Sequence, residues 1–184
     1  MVNRTEHDSL TRLSTAELRW RIVNGDGFST GQFFPGVVGG NQKQLYLSNP
    51  TDDTYYGIGN VAIRGEAKVT HYKSFNVTET TQGNQPDTGV QSKVSQDSTS
   101  AAISRIGGDN ETGSYTGGRQ LSTKTAGASG SPNQLTPGDV SDNGIANVIA
   151  PGDDMCLFVT NDTTSERDMS LDIDWVEIPD RDYP

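Results

Sequence analysis

Apolar residues recur two apart along much of this chain, the spacing that places alternate side chains on one face of a β-strand. Strand patterning begins at Gly27. Residues 45–47 read as a short strand stopped by Ser48-Asn49-Pro50, because proline cannot donate to a ladder and the residue before it prefers extended or turn geometry. A second strand is expected over 59–64 and a third over 66–77. In the third, Val69, His71, Phe75 and Val77 share one face and Thr70, Tyr72, Ser74 and Asn76 the other. Lys73 interrupts the apolar face, so a bend or an end is expected near Lys73 and Ser74.

The clearest pattern closes the chain. Met155, Leu157 and Val159 alternate, a polar stretch over 161–168 turns the chain, and Met169, Leu171, Ile173 and Trp175 alternate against Ser170, Asp172 and Asp174. This predicts a hairpin whose second strand has one dry and one acidic face. A slip of one residue would bury Asp172 and Asp174, so the register is firmly set. Between these regions, residues 107–144 are rich in Gly, Ser, Thr, Asn and Pro. Short strands are expected there at Ser114-Tyr115 and over 120–125, with an exposed loop over 126–138 as a contact surface.

Residues 1–26 have a different character. They carry Arg4, Arg12, Arg19 and Arg21 with Trp20, and Ser14 followed three residues later by Glu17 has the form of a capping box. A short helix over 15–20 fits that signal. The segment reads either as a docking arm for a partner or as a frayed terminus. Residues 27–184 then form one domain, and 184 residues suffice for one core. Only 31% of the chain is hydrophobic, which suits two thin packed sheets better than a helical bundle. The fold class expected is all-β, a jelly-roll-like antiparallel β-sandwich with a short N-terminal arm.

The formal net charge of −10 is unevenly placed. Residues 1–138 balance twelve acids against twelve bases, whereas 139–184 hold twelve acids against two. Nucleic-acid binding needs a basic stripe, so that function is excluded. Seventeen Asp to seven Glu, with five Lys to nine Arg, is the surface chemistry expected of a protein kept soluble in concentrated salt, although an ordinary acidic surface has the same look. No segment approaches the length of a membrane span, and the first ten residues lack the apolar stretch of a signal peptide. Synthesis and residence in the cytoplasm are expected unless something larger carries the protein out.

In sequence these features resemble a family of small virion structural proteins of tailed phages and tailed archaeal viruses. The resemblance runs over about 28–178. It is carried by residues 45–50, Gly65-Glu66-Ala67-Lys68-Val69 leading to Tyr72, the Ser-rich stretch 98–103, Gly117-Gly118, Ala128-Ser129-Gly130-Ser131, Ile149-Ala150-Pro151-Gly152, Val159-Thr160-Asn161 and the closing residues 170–177. It implies a β-sandwich that assembles with copies of itself and sits on the outside of a particle as a capsid decoration, turret or fibre. The partners implied are itself, with a trimer favoured, and major capsid or tail proteins. The Arg-bearing arm and the acidic C-terminus depart from the family pattern.

Candidate chemistry adds little to this. Nucleophilic catalysis of the Ser-His-Asp or Cys-His type needs a proton-shuttling histidine. His7 lies in the arm and His71 lies mid-strand on an apolar face, so both read as structural and no enzyme activity is expected. Cys156, the single cysteine, lies in an apolar run and reads as core. Asp139, Ser141 and Asn143 before Gly144 match the first half of a calcium loop, yet Ala150 stands where the closing acid belongs. Asp153 or Asp154 would have to replace it, and a solvated turn is the competing reading. Asn-x-Ser/Thr sequons begin at Asn3, Asn76, Asn110 and Asn161, little more than chance provides. Finally, Tyr55, Tyr56 and Tyr115 are candidate aromatic platforms for a host-surface glycan, against packing at a sheet edge.

Overall fold

The computed structural model describes residues 22–65, 68–93, 98–121, 123–126 and 148–180. The expected arm helix, Arg4, His7, Arg12, Arg19, Trp20 and Arg21, the loop over 127–138 and the calcium candidates Asp139, Ser141 and Asn143 lie outside the described residues. After one helical turn, Ile22–Asp26, the strands are β1 (Gly27–Val37), β2 (Gln42–Ser48), β3 (Thr54–Gly65), β4 (Val69–Phe75), β5 (Thr78–Thr81), β6 (Val90–Ser92), β7 (Ile103–Gly108), β8 (Ser114–Thr116), β9 (Arg119–Gln120), β10 (Lys124–Ala126), β11 (Val148–Ile149), β12 (Asp154–Asn161) and β13 (Arg167–Pro179).

One sheet has the order β11-β3-β13-β1-β6 and the other β10-β4-β12-β2-β7, with β9 also on β4; β5 and β8 form a separate ribbon. All the pairings are antiparallel. They are also nested: β1 pairs with β13, β2 with β12, β3 with β11 and β4 with β10. A long hairpin whose successive rungs are laid on alternate sheets gives this order, which is that of the jelly roll. Strands β5 to β9 are inserted at the tip of that hairpin, between β4 and β10.

Nesting corrects one expectation. β12 and β13 are not a hairpin, because β12 pairs with β2 and β4 in one sheet while β13 pairs with β1 and β3 in the other. Their dry faces oppose one another across the core. Met169, Leu171, Ile173 and Trp175 from β13 and Met155, Leu157 and Val159 from β12 are at most 1% exposed. Phe28 and Phe34 of β1, Leu45 and Leu47 of β2, Val61 and Ile63 of β3, and Val69 and Phe75 of β4 complete the layer. Burying each such side chain contributes roughly 1.5–3 kcal/mol.

Two corners that carry the chain from the second sheet to the first are built alike. At the β2–β3 corner, Asn49 Nδ2 donates to the carbonyls of Thr54 (2.7 Å) and Ile149 (3.2 Å), and Asn49 Oδ1 accepts from Thr51 N and Oγ1. At the β12–β13 corner, Asn161 Nδ2 donates to the carbonyls of Val37 (2.7 Å) and Ser165 (2.9 Å), and its Oδ1 accepts from Thr163 N and Oγ1. Both asparagines are fully buried. In each, a carboxamide satisfies backbone groups where the chain leaves its ladder, as a buried turn requires. The sequon at Asn161 is therefore a structural corner.

Strand β4 also departs from expectation. It runs unbroken through Lys73 and Ser74, pairing with β12 throughout. The break falls at Asn76, whose left-handed backbone (φ 54°) ends the alternation. Val77 consequently packs with Tyr46, Cys156 and Phe158 on the opposite face from Phe75.

Candidate functional site

The outer faces of the two sheets have opposite characters. On the β2-β12-β4 side, Tyr46, Cys156 and Phe158 form a second apolar layer with Tyr115 of β8. The β5–β8 ribbon lies over it. Tyr115 stacks on Tyr46 with ring centroids 4.5 Å apart and planes 9° from parallel, and Tyr72 stacks on Phe158 at 4.6 Å. The Gln44 carboxamide acts as one more rung, donating to Tyr115 O (3.2 Å) and accepting from Tyr115 N (3.1 Å). Gly83 and Gly113 permit the close approach, since a Cβ on either would fall within 2.2 Å of Ile106 O.

Tyr115 is therefore fully buried and presents no surface to a sugar. Its hydroxyl accepts from Gly83 N, and burial pushes its pKa up to about 12. Tyr56 is likewise fully buried, against Trp175. The cause is a bulge: the β3–β13 register shifts between Asp174 and Trp175, leaving Gly59 unpaired. Val61 and Ile63 point inward on one side of it, Tyr56 and Ile58 on the other. The inward series changes parity, and Tyr55 is left half-buried on the other face. Two of the three expected platforms are thus core residues.

The outer face of the β3-β13-β1-β6 sheet is open. Side chains there form an exposed depression of about 380 Å³, lined by Ser29, Asn60, Arg64, Gln91, Lys93, Asp172 and Asp174 over a floor of Ala62 and Gly31. The register sets the rows. Asn60, Asp174, Ser29 and Gln91 stand opposite one another across four strands, and Ala62, Asp172 and Gly31 form the next row. Lys93 Nζ lies 2.6 Å from Asp174 Oδ2. A Cβ on Gly31 would fall 2.3 Å from Asp172 Oδ1, so this glycine gives the carboxylate room to lie across β1. Thr88 Oγ1 donates to Gly31 O (2.6 Å) and accepts from Gly31 N (3.2 Å), extending the rim past the end of β6. Phe33, 54% exposed, stands on the same face one row on, opposite Ser170.

The remaining expected residues have structural places. His71 is buried on the inner face of β4. Cys156 is buried under the ribbon, where desolvation raises its thiol pKa well above the ordinary value. Asp154 accepts hydrogen bonds from Val77 N (2.9 Å) and Tyr46 Oη (3.4 Å) and so helps hold the ribbon side; burial raises its pKa. Among the described residues no three His, Cys, Asp or Glu side chains converge as metal ligands. No helix among them is long and apolar enough to cross a membrane.

Sequence reasoning missed one inward-facing acid. Glu177 follows Trp175 on the inner side of β13, opposite Tyr56, and accepts a hydrogen bond from Ser100 Oγ. Tyr56 Oη and Trp175 Nε1 lie close by without closing a bond of their own. Burial raises the Glu177 pKa above its ordinary 4.5, and Asp26 adds to the effect. Below 4.5 both folded and unfolded chains hold the proton; between 4.5 and the raised value only the folded chain does. Stability attached to this group is therefore fully present below that window and lost as pH rises through it. The expected result is that Glu177→Gln melts higher than the parent at neutral pH and that the two midpoints converge as pH falls below 4.5. Melting curves across that range check it, and a constant difference at all pH values would contradict it.

The fold and the two outer faces define the class: a jelly-roll sandwich with one face capped by its own insertion and one polar face presented to solvent. No protein-family model matches this chain, and no curated protein matches it.

Proposed function

We propose that this protein is a structural component of a tailed virus particle, a homo-oligomeric capsid decoration or turret module that works through the surfaces it presents. The observation that carries the reading is the jelly-roll order over the full span of the sequence resemblance, from β1 to β13. The capped face adds support, since an insertion that seals one sheet leaves the other as the surface on display. In this reading three copies pack around an axis, and the arm carrying Arg4, Arg12, Arg19, Trp20 and Arg21 docks on a major capsid or tail protein. The module performs no chemistry of its own.

Mass spectrometry of purified particles separated into heads and tails tests the proposal directly. The protein is expected in the head fraction, and sedimentation in molar salt is expected to give three times the 19.7 kDa chain mass. Absence from particles together with a monomeric mass would reject it.

The acidic surface leads us to assign the particle to a salt-loving host. The last 46 residues hold twelve acids against two bases, which is the whole of the net charge of −10. Screening by salt removes such repulsion, with a Debye length of about 3 Å at 1 M. The melting midpoint is therefore expected to rise between 0.1 M and molar KCl, and a flat or falling midpoint would remove the salt-loving assignment.

A further inference from the structure

The polar depression on the β3-β13-β1-β6 face has the composition of a binding site, and we infer that it takes an uncharged oligosaccharide. Two cations, Arg64 and Lys93, meet two anions, Asp172 and Asp174, so the lining carries no formal net charge. A strongly anionic or cationic ligand gains nothing overall from such a surface. A neutral polyol does, because each of its hydroxyls both donates and accepts. The Asp172 and Asp174 carboxylates accept from adjacent hydroxyls, while Arg64, Asn60, Gln91 and Lys93 donate to their oxygens.

The shape agrees with that chemistry. Ala62 and Gly31 keep the floor low between taller polar rows, and the absence of a side chain at Gly31 places the Asp172 carboxylate across the trough. The row from Asn60 to Gln91 crosses four strands, a width of about 14 Å at the usual strand spacing. That length suits a short chain of sugar rings better than a single ring. A volume of about 380 Å³ falls within the range of ligand sites, and the polar lining selects a polar occupant. Phe33 stands exposed one row beyond Asp172, where its aromatic side chain is within reach of the apolar side of a further sugar. This site shares no residue with the tyrosines that the sequence offered as platforms, and it functions independently of any position in a particle.

Saturation-transfer NMR on the full chain, in the salt at which it is folded, tests the inference. The probes are neutral hexasaccharides of β-1,4-glucose, α-1,4-glucose, β-1,4-mannose and β-1,4-N-acetylglucosamine, with sulfated and uronate oligosaccharides as comparators. At least one neutral probe is expected to bind. Its affinity is expected to fall at least tenfold in Asp172→Asn and in Arg64→Ala, to fall also in Phe33→Ala, and to change little with salt. All three side chains point outward, and matched melting curves confirm that each variant is folded. Silence from every neutral probe, binding of the charged comparators alone, or undiminished affinity in Asp172→Asn and Arg64→Ala would each overturn the inference. Loss of binding here leaves the virion reading standing, and absence from particles leaves this site standing.

Discussion

Replacing Asn161 with alanine is expected to destabilise the protein by about 2–4 kcal/mol, among the larger effects available to a polar residue. The side chain is fully buried and engages both ends of the β12–β13 corner and the last residue of β1. Alanine would strand the buried carbonyl of Val37 and would take one partner each from the Ser165 carbonyl and the Thr163 amide. Asn161→Asp should be no better, since it keeps the acceptor and replaces the donor with a buried charge. Asn49→Ala should show a loss of similar size, because the second corner repeats the first. Urea unfolding in high salt measures the change. A loss under about 0.5 kcal/mol, the range of ordinary surface substitutions, would mean that the corners are not held by these carboxamides.

Tyr115→Ala should act locally, yet as strongly. Truncating a buried aromatic side chain costs about 3–5 kcal/mol in a core, and this ring is what seats the β5–β8 ribbon on the sandwich. Tyr115 stacks on Tyr46, bonds Gln44 through its backbone and covers Cys156. The ribbon contributes nothing to the main core layer, so the expected outcome is its detachment with the sandwich intact. Cys156 gives the readout. Its buried thiol should be inert to a thiol reagent in the parent and reactive in Tyr115→Ala, while the strand signal in circular dichroism stays near that of the parent. Equal thiol reactivity in both proteins would show that the ribbon remains seated without the ring.

Much of the sandwich is legible in the sequence because its central strands obey a strict period of two. β13 keeps every inward position from Met169 to Trp175 apolar and its outward neighbours polar. The turn after β12 misleads for a physical reason: a polar stretch looks the same whether it reverses the chain within a sheet or carries it across to another. Only the burial of Asn161 and its bond to distant Val37 distinguish the two. β1 is hidden because Thr30 and Gln32 point inward, satisfied by Ser104 and Asp87 and not by hydrocarbon. The choice between Tyr55 and Tyr56 turns on the bulge at Gly59, which has no signature beyond the glycine itself.

The open face is half legible. The acidic side of β13 is evident from the alternation of Asp172 and Asp174, but their neighbours come from positions 29, 60 and 91. No local pattern connects those positions; the nested ladder does. Gly31 stands out in no motif, and its value lies in what its missing side chain permits at Asp172.

The nested ladder also dictates how the molecule can be made. Gly27 stands opposite Val176, so β1, made before every other described strand, finds its principal neighbour only when β13, the last of them, has been made. Pairings that distant in sequence close slowly and together, and a nascent chain is left with unpaired edges in the interval. A chain cut before β13 should therefore hold β1 and β3 without the neighbour they share and be open to proteolysis.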